Sequence, residues 1–144
     1  MPLDARDAIQ KMQLFTDEER YRYVSLPLNR LTAAAGVLAE IREPFAVLIM
    51  DKDELSLVLT EGDVEDFRKR LGDARISDSV YRLITFDIAL GEGVIGFMAI
   101  VSAALAAASV TIMPFAAFQR DHLLVTVEHF DTAWKTLEKL RTAP

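Results

Sequence analysis

Cysteine is absent from the 144 residues, which rules out disulfides and thiolate metal sites while fitting reducing and oxidising compartments equally well. Basic residues are also short: 16 Lys and Arg against 22 Asp and Glu give a net charge of −6. No basic stripe is left that could displace counterions from a phosphate backbone, so no nucleic-acid partner is expected. Histidine occurs twice, at His122 and His129. Their spacing gives them opposite parity on an extended strand, so one face does not present both to a metal. With no cysteine, no histidine pair and no motif-borne serine, there is no catalytic constellation, and the expectation is a protein that is not an enzyme and needs no cofactor and no metal. The opening Met1-Pro2-Leu3-Asp4-Ala5-Arg6-Asp7 carries acids where a secretory leader needs a basic start, which points to the cytoplasm.

What the chain does have is repetition. Tyr21-Arg22-Tyr23-Val24-Ser25-Leu26 recurs in pattern as Tyr81-Arg82-Leu83-Ile84-Thr85-Phe86, and Met50-Asp51-Lys52-Asp53-Glu54-Leu55 recurs as Phe118-Gln119-Arg120-Asp121-His122-Leu123. The second pair lies further apart than the first, so the second copy carries extra residues around Gly91-Glu92-Gly93-Val94-Ile95-Gly96. A duplicated unit of this size is a compact supersecondary module. The division read from the sequence is an N-terminal extension at residues 1–20, a first module at 21–74 and a second at 75–144.

In the first copy the periodicities predict a strand at Tyr21 to Leu26, a helix at Asn29 to Ile41 and a strand at Phe45 to Met50. A turn at Asp51 to Asp53, a strand at Leu55 to Leu59 and a helix at Asp63 to Leu71 follow. The second copy repeats the order with a strand from Tyr81, a helix at Phe97 to Ala108, a strand at Val110 to Phe118, a turn at Gln119 to Asp121, a strand at His122 to Val127, and a helix opened by Asp131. The expected fold is α+β: two ferredoxin-like βαββα(β) modules in tandem, sharing or abutting an antiparallel sheet, with helices on one face. Strands such as Leu55 to Leu59 are apolar on both faces, so a second module or a second chain is expected to cover what the helices do not, and a homodimer is expected.

Val94 through Phe118 holds no charge and is long enough to cross a bilayer. Its Ala-rich first half and its β-branched, aromatic second half, broken by Pro114, read instead as a helix followed by a strand, with no membrane partner. Gly91-x-Gly93-x-x-Gly96 has the spacing of a dinucleotide fingerprint. A hairpin follows it, however, where a dinucleotide fold needs parallel βαβ units, so the favoured reading is a glycine loop shaped for turn geometry. Backbone N–H groups at a helix start still favour an anion such as a carboxylate. Asp51-Lys52-Asp53-Glu54 reads as a solvated turn ahead of a metal cluster, and Trp134, Phe97, Phe115 and Phe118 as core.

Phe45 through Val58, with Met50-Asp51-Lys52-Asp53-Glu54-Leu55-Ser56-Leu57, resembles the apolar-strand and Asp-Glu-Leu-Ser stretch of small bacterial tandem ACT-domain proteins. Gly96-Phe97-Met98-Ala99-Ile100 through Phe118-Gln119-Arg120-Asp121-His122-Leu123-Leu124-Val125 resembles their second module. These proteins are related to the ACT modules of aspartokinases and to the animal cytosolic arginine sensors. The resemblance implies a regulatory protein binding a small amino acid at a module interface. It implies that the backbone of Glu92, Gly93, Val94, Ile95 and Gly96 holds the ligand carboxylate, that Ala117, Phe118 and Asp121 line the opposite side, and that Asp121 pairs the α-amino group. Phe115-Ala116-Ala117-Phe118 stands where that family usually has hydroxyl groups, which implies an apolar-selective or an empty site. The alternative is a structural or protein-interaction module that dimerises or docks a partner enzyme without a ligand.

Overall fold

The computed structural model describes residues 3–144. Met1 and Pro2, which belong to the stretch read for a leader and for an N-terminal extension, lie outside the described residues.

In chain order, helix α1 (Ala5–Lys11) and strand β1 (Gln13–Phe15) precede β2 (Tyr21–Leu26). A 3-10 turn (Leu28–Arg30) leads into α2 (Leu31–Glu40), followed by β3 (Val47–Met50) and β4 (Leu55–Thr60). Two short helices, α3 (Glu61–Asp66) and α4 (Arg68–Leu71), then give way to β5 (Arg75–Ile76). The remainder is β6 (Tyr81–Asp87), α5 (Phe97–Ala107), β7 (Met113–Ala116), β8 (Asp121–Thr126), a 3-10 turn (Val127–His129) and α6 (Phe130–Thr142). The chain divides into two compact units, one of residues 19–80 and one of residues 1–18 with 81–144.

In the unit of residues 19–80, β4 pairs antiparallel with β3 and β2, and β2 pairs antiparallel with β5, so the order is β3-β4-β2-β5. The register sets Val24 against Leu57 and Leu26 against Leu55, which puts these side chains on one face. Val24, Leu26, Leu55, Leu57 and Leu59 form one core with Ala34 and Val37 of α2, Val64 and Leu71. Small residues at Ala34 and at Val37 let α2 lie close to the sheet. Thr60 caps α3, its hydroxyl accepting from the Asp63 N–H at 3.1 Å, and Glu61 and Asp63 in the first turn suit the helix dipole. The single helix expected at Asp63 to Leu71 is in fact two, because Phe67 leaves helical geometry at φ −103°, ψ 15°. Strand β5 completes the sheet of this unit by pairing with β2, Val24 opposite Ile76.

The second unit draws on both ends of the chain. Its sheet has the order β7-β8-β6-β1, all antiparallel, with Leu14 opposite Phe86. β1 therefore occupies the place that β5 holds in the other unit. Asp4 caps α1 by accepting from the Asp7 N–H at 2.8 Å, and Ala8, Ile9 and Met12 enter the core with Ile84, Phe86, Phe97, Val101, Leu105, Ala133 and Leu137. Full burial of Ile9 and Met12 contributes about 1.5–3 kcal/mol each. Residues 5–15 are thus structural parts of the body they precede by more than sixty positions.

The charge-free run from Val94 to Phe118 divides into α5 and β7, with Pro114 on a strand that pairs on one side with β8. α5 ends in a Schellman motif: the Val110 N–H donates to Leu105 C=O at 2.9 Å, and buried Val110 and Leu105 share the core. The left-handed position of that motif is filled by Ser109 at φ +60°, where glycine is usual. Among the described residues no helix is long and apolar enough to cross a membrane. On the faces opposite the two cores, Val58, Leu83 and Leu124 are also buried within the single chain.

Candidate functional site

The segment between β6 and α5 is pinned at both ends and bowed in the middle. Leu90 N–H donates to Gln119 C=O at 2.6 Å, tying the start of the loop to the β7–β8 turn. Val94 N–H donates to Gly91 C=O at 3.1 Å, closing a tight turn that commits the Val94 N–H inside the loop. Gly96 then takes φ +89°, ψ 4°, a left-handed conformation costly for any residue with a Cβ, and its carbonyl accepts the first helical bond from Ile100 at 3.1 Å. No side chain caps α5. Its first-turn N–H groups therefore point toward the loop without an internal partner. Phe97 anchors the helix start by packing edge-on against Phe86, with ring centroids 5.4 Å apart.

This arrangement encloses an open cavity of about 820 Å³. Of the residues expected from the sequence, Glu92, Val94, Gly96, Phe118 and Asp121 line it. Gly93, Ile95 and Ala117 are not among its lining residues, and Ile95 is 85% exposed. A Cβ at Gly93 would meet nothing within 4 Å, so a side chain there does not crowd the helix start. The wall also includes Leu90, Phe97, Met98 and Gln119, which the sequence reading did not assign to a site. Phe97 had a signal, its reading as core at the start of a helix; Met98 had only its place in that helix. Gln119 had only its place in a turn.

Asp121, expected in an exposed turn, is instead the first residue of β8, opposite Ala116. The turn itself is closed by Ala117 N–H donating to Arg120 C=O at 3.0 Å. Partial burial raises the Asp121 carboxyl above its ordinary 3.8, an effect that the neighbouring His122 opposes. His122 is lowered from 6.5, first by burial and also by Arg120, against the pull of Asp121. Its Nδ1 lies 2.8 Å from Thr85 Oγ1. Arg120 pairs with Asp87 at 3.3 Å. Phe118, read as core from the sequence, is wholly exposed at the tip of the turn. Strand β7 ends at Ala116, so Phe118 falls in the turn beyond the last register pair, where no sheet face is available to bury it, whereas Phe115 stays on the strand.

The corresponding loop in the other unit is short. Pro27 leads straight into the 3-10 turn, and Arg30 folds back to donate to Arg70 C=O at 2.8 Å and to approach Asp73 at 3.6 Å. Asp51 closes its own turn by accepting from Asp53 N–H and Glu54 N–H at 2.8 and 2.9 Å, and those bonds lower its carboxyl. Among the described residues no three His, Asp or Glu side chains gather in a way that could hold a metal ion.

Residues 76–139 match the sequence model of the ACT domain. No curated protein sequence matches the chain. Among solved structures, the chain is similar to a Vibrio cholerae protein of unknown function, with TM-score 0.72 and 20% identity over 93% of each chain. It is also similar to the regulatory subunit of aspartate kinase from Thermus thermophilus in its ligand-free form, with TM-score 0.64 and 11% identity over 89% of this chain and 97% of that one. A putative C-terminal regulatory domain of aspartate kinase from Porphyromonas gingivalis gives TM-score 0.63 and 16% identity over 92% and 99%. At these identities the likeness is one of fold, and the fold is that of ferredoxin-like ACT modules.

Proposed function

We propose that the chain is a regulatory protein without catalytic activity, a pair of ACT modules of which the one containing residues 81–144 binds a small amino acid. The observation that carries this reading is the cavity itself: the glycine loop, the uncapped start of α5 and half-buried Asp121 converge on one space within the stretch that matches the ACT domain. In this reading the ligand carboxylate sits at the first-turn N–H groups of α5, where the helix dipole favours negative charge. The Glu92 to Gly96 backbone shapes that end, and Asp121 accepts from the α-ammonium group across the cavity. Support for a regulatory role comes from the aspartate kinase regulatory parts that share the fold.

A thermal-shift screen of the twenty amino acids tests the proposal. A true ligand at about 100 times its dissociation constant stabilises by about 2.7 kcal/mol. A flat screen on folded protein removes the reading. Asp121→Asn keeps the shape but deletes the charge, and should weaken the ligand by about 1.5–3 kcal/mol in calorimetry.

Homodimer formation is part of the proposal, on a different footing from the sequence argument. Because Val58 and Leu124 are already buried within one chain, support comes from β3, where Ile49 and Met50 are exposed on a strand that pairs on one side with β4. Light scattering that returns a monomer at micromolar concentration would refute it. The second reading, a docking module without ligand, is favoured by one feature, the exposure of Phe118 and Ile95 beside the cavity.

A further inference from the structure

The walls of the cavity say more about a ligand than its carboxylate and amine would require. Leu90, Val94, Phe97 and Met98 give it an apolar side, and Phe118 stands at its rim with the whole ring in solvent. Its charged lining residues are Glu92 and Asp121, both acids, and no Lys, Arg, His, Ser, Thr or Tyr among the described residues lines it. Arg120, the base adjacent to Asp121 in sequence, is turned to Asp87.

Three kinds of side chain fare differently against such a wall. A second carboxylate on the ligand would be desolvated beside two like charges and find no cation. A hydroxyl would exchange its water for a bond to Glu92, Gln119 or Asp121, a replacement that adds little net affinity. An aliphatic chain gains from every contact with the wall. The open cavity of about 820 Å³ is also roomier than an amino acid needs. Phe118, which has no packing to lose, is placed to swing in over what remains.

We infer that this site selects α-amino acids with a large aliphatic side chain, of the size of leucine or methionine, and that the Phe118 ring closes over that side chain. The inference rests on the amino-acid-binding reading above and adds the ligand class and a specificity residue to it.

Calorimetry on the full chain with L-leucine, L-methionine, L-serine and L-aspartate provides the test. Leucine and methionine should bind at least about tenfold more tightly than serine, a difference of about 1.4 kcal/mol, and aspartate more weakly still. Phe118→Ala should weaken leucine about tenfold or more while leaving the melting temperature of the free protein unchanged, and Phe118→Leu should restore part of the loss. Serine or aspartate binding as tightly as leucine would overturn the ligand class and leave an amino-acid site standing. Undiminished leucine binding by Phe118→Ala would overturn the role of the ring. Silence from all twenty amino acids would instead strike the underlying reading.

Discussion

The two units share an order of elements and differ in the loop after their first strand. In the unit of residues 19–80 this loop is Pro27 and one 3-10 turn, and Arg30 locks it to Arg70 and Asp73. In the other it runs from Ile88 to Gly96, holds three of the six glycines and opens a cavity. The same sheet and helices support both, so the fold does not dictate the site. A few residues inserted where strand hands over to helix do.

The units also differ in how they complete their sheets, and that contrast is open to the hardest test. The unit of residues 19–80 ends on its own β5, whereas the other borrows β1 and α1 from the start of the chain. Met12 is fully buried in that borrowed segment. Met12→Ala should cost about 2–5 kcal/mol in urea denaturation, and a cost near zero would mean that the opening residues are not part of the body.

The glycine loop gives a smaller and paired effect. Gly96→Ala should destabilise by roughly 1–2 kcal/mol because of its positive φ. Gly93, whose φ is not positive and whose surroundings are open, should instead gain about 0.4–1 kcal/mol from the same substitution. Equal melting temperatures for the two variants would erase the distinction between a shaped and an open glycine.

Helix ends offer a third contrast. Gly72 and Ser109 both stand at φ +60°; Gly72, at ψ −121°, lies where essentially only glycine fits, and Ser109 carries a Cβ at a C-terminal position that glycine favours. Ser109→Gly should stabilise by roughly 0.5–1 kcal/mol, read from the thermal midpoint. No gain would mean that the Ser109 hydroxyl offsets the strain.

The weakest effect is that of pH on His122, which follows cavity-lining Asp121 on β8 and does not itself line the cavity. The His122 imidazole is held below 6.5 by burial, so the folded state prefers the neutral ring. The stability this confers is present above pH 6.5 and lost as the pH falls through the lowered value in the folded state. His122→Gln should flatten the decline in Tm below pH 6.5. An unchanged profile would assign that decline to other groups.

Local pattern was enough to read the type and order of the elements that the two copies repeat, while α1, β1 and β5 went unread. Alternation in Tyr81 to Phe86, the alanine-rich run after Phe97, and the β-branched, aromatic run that follows it announce strand, helix and strand without help from any distant residue. Boundaries moved because capping and hydrogen-bond closure fix them: Thr60 starts α3 earlier than periodicity suggests, and the Ala117 to Arg120 turn hands Asp121 to β8. The glycine spacing made the loop visible as the start of a helix that favours an anion, the resemblance to ACT-domain proteins implied eight site residues, and five of those eight line one cavity. Which of them line it was beyond sequence. A loop without period gives no phase from which to tell that Glu92, Val94 and Gly96 line the cavity and that Gly93 and Ile95 do not.

Composition excluded thiol chemistry, since the chain has no cysteine, and periodicity determined the strands and helices of the α+β modules, because it depends on residues a few positions apart. Tertiary structure alone decided that β1 and α1 belong with residues 81–144, that Phe118 faces solvent, and that Met98 faces a cavity. Each of these depends on which strand pairs with which, and a three-residue strand such as Gln13-Leu14-Phe15 acquires its partner through burial and hydrogen bonds to Thr85, Phe86 and Asp87, far along the chain.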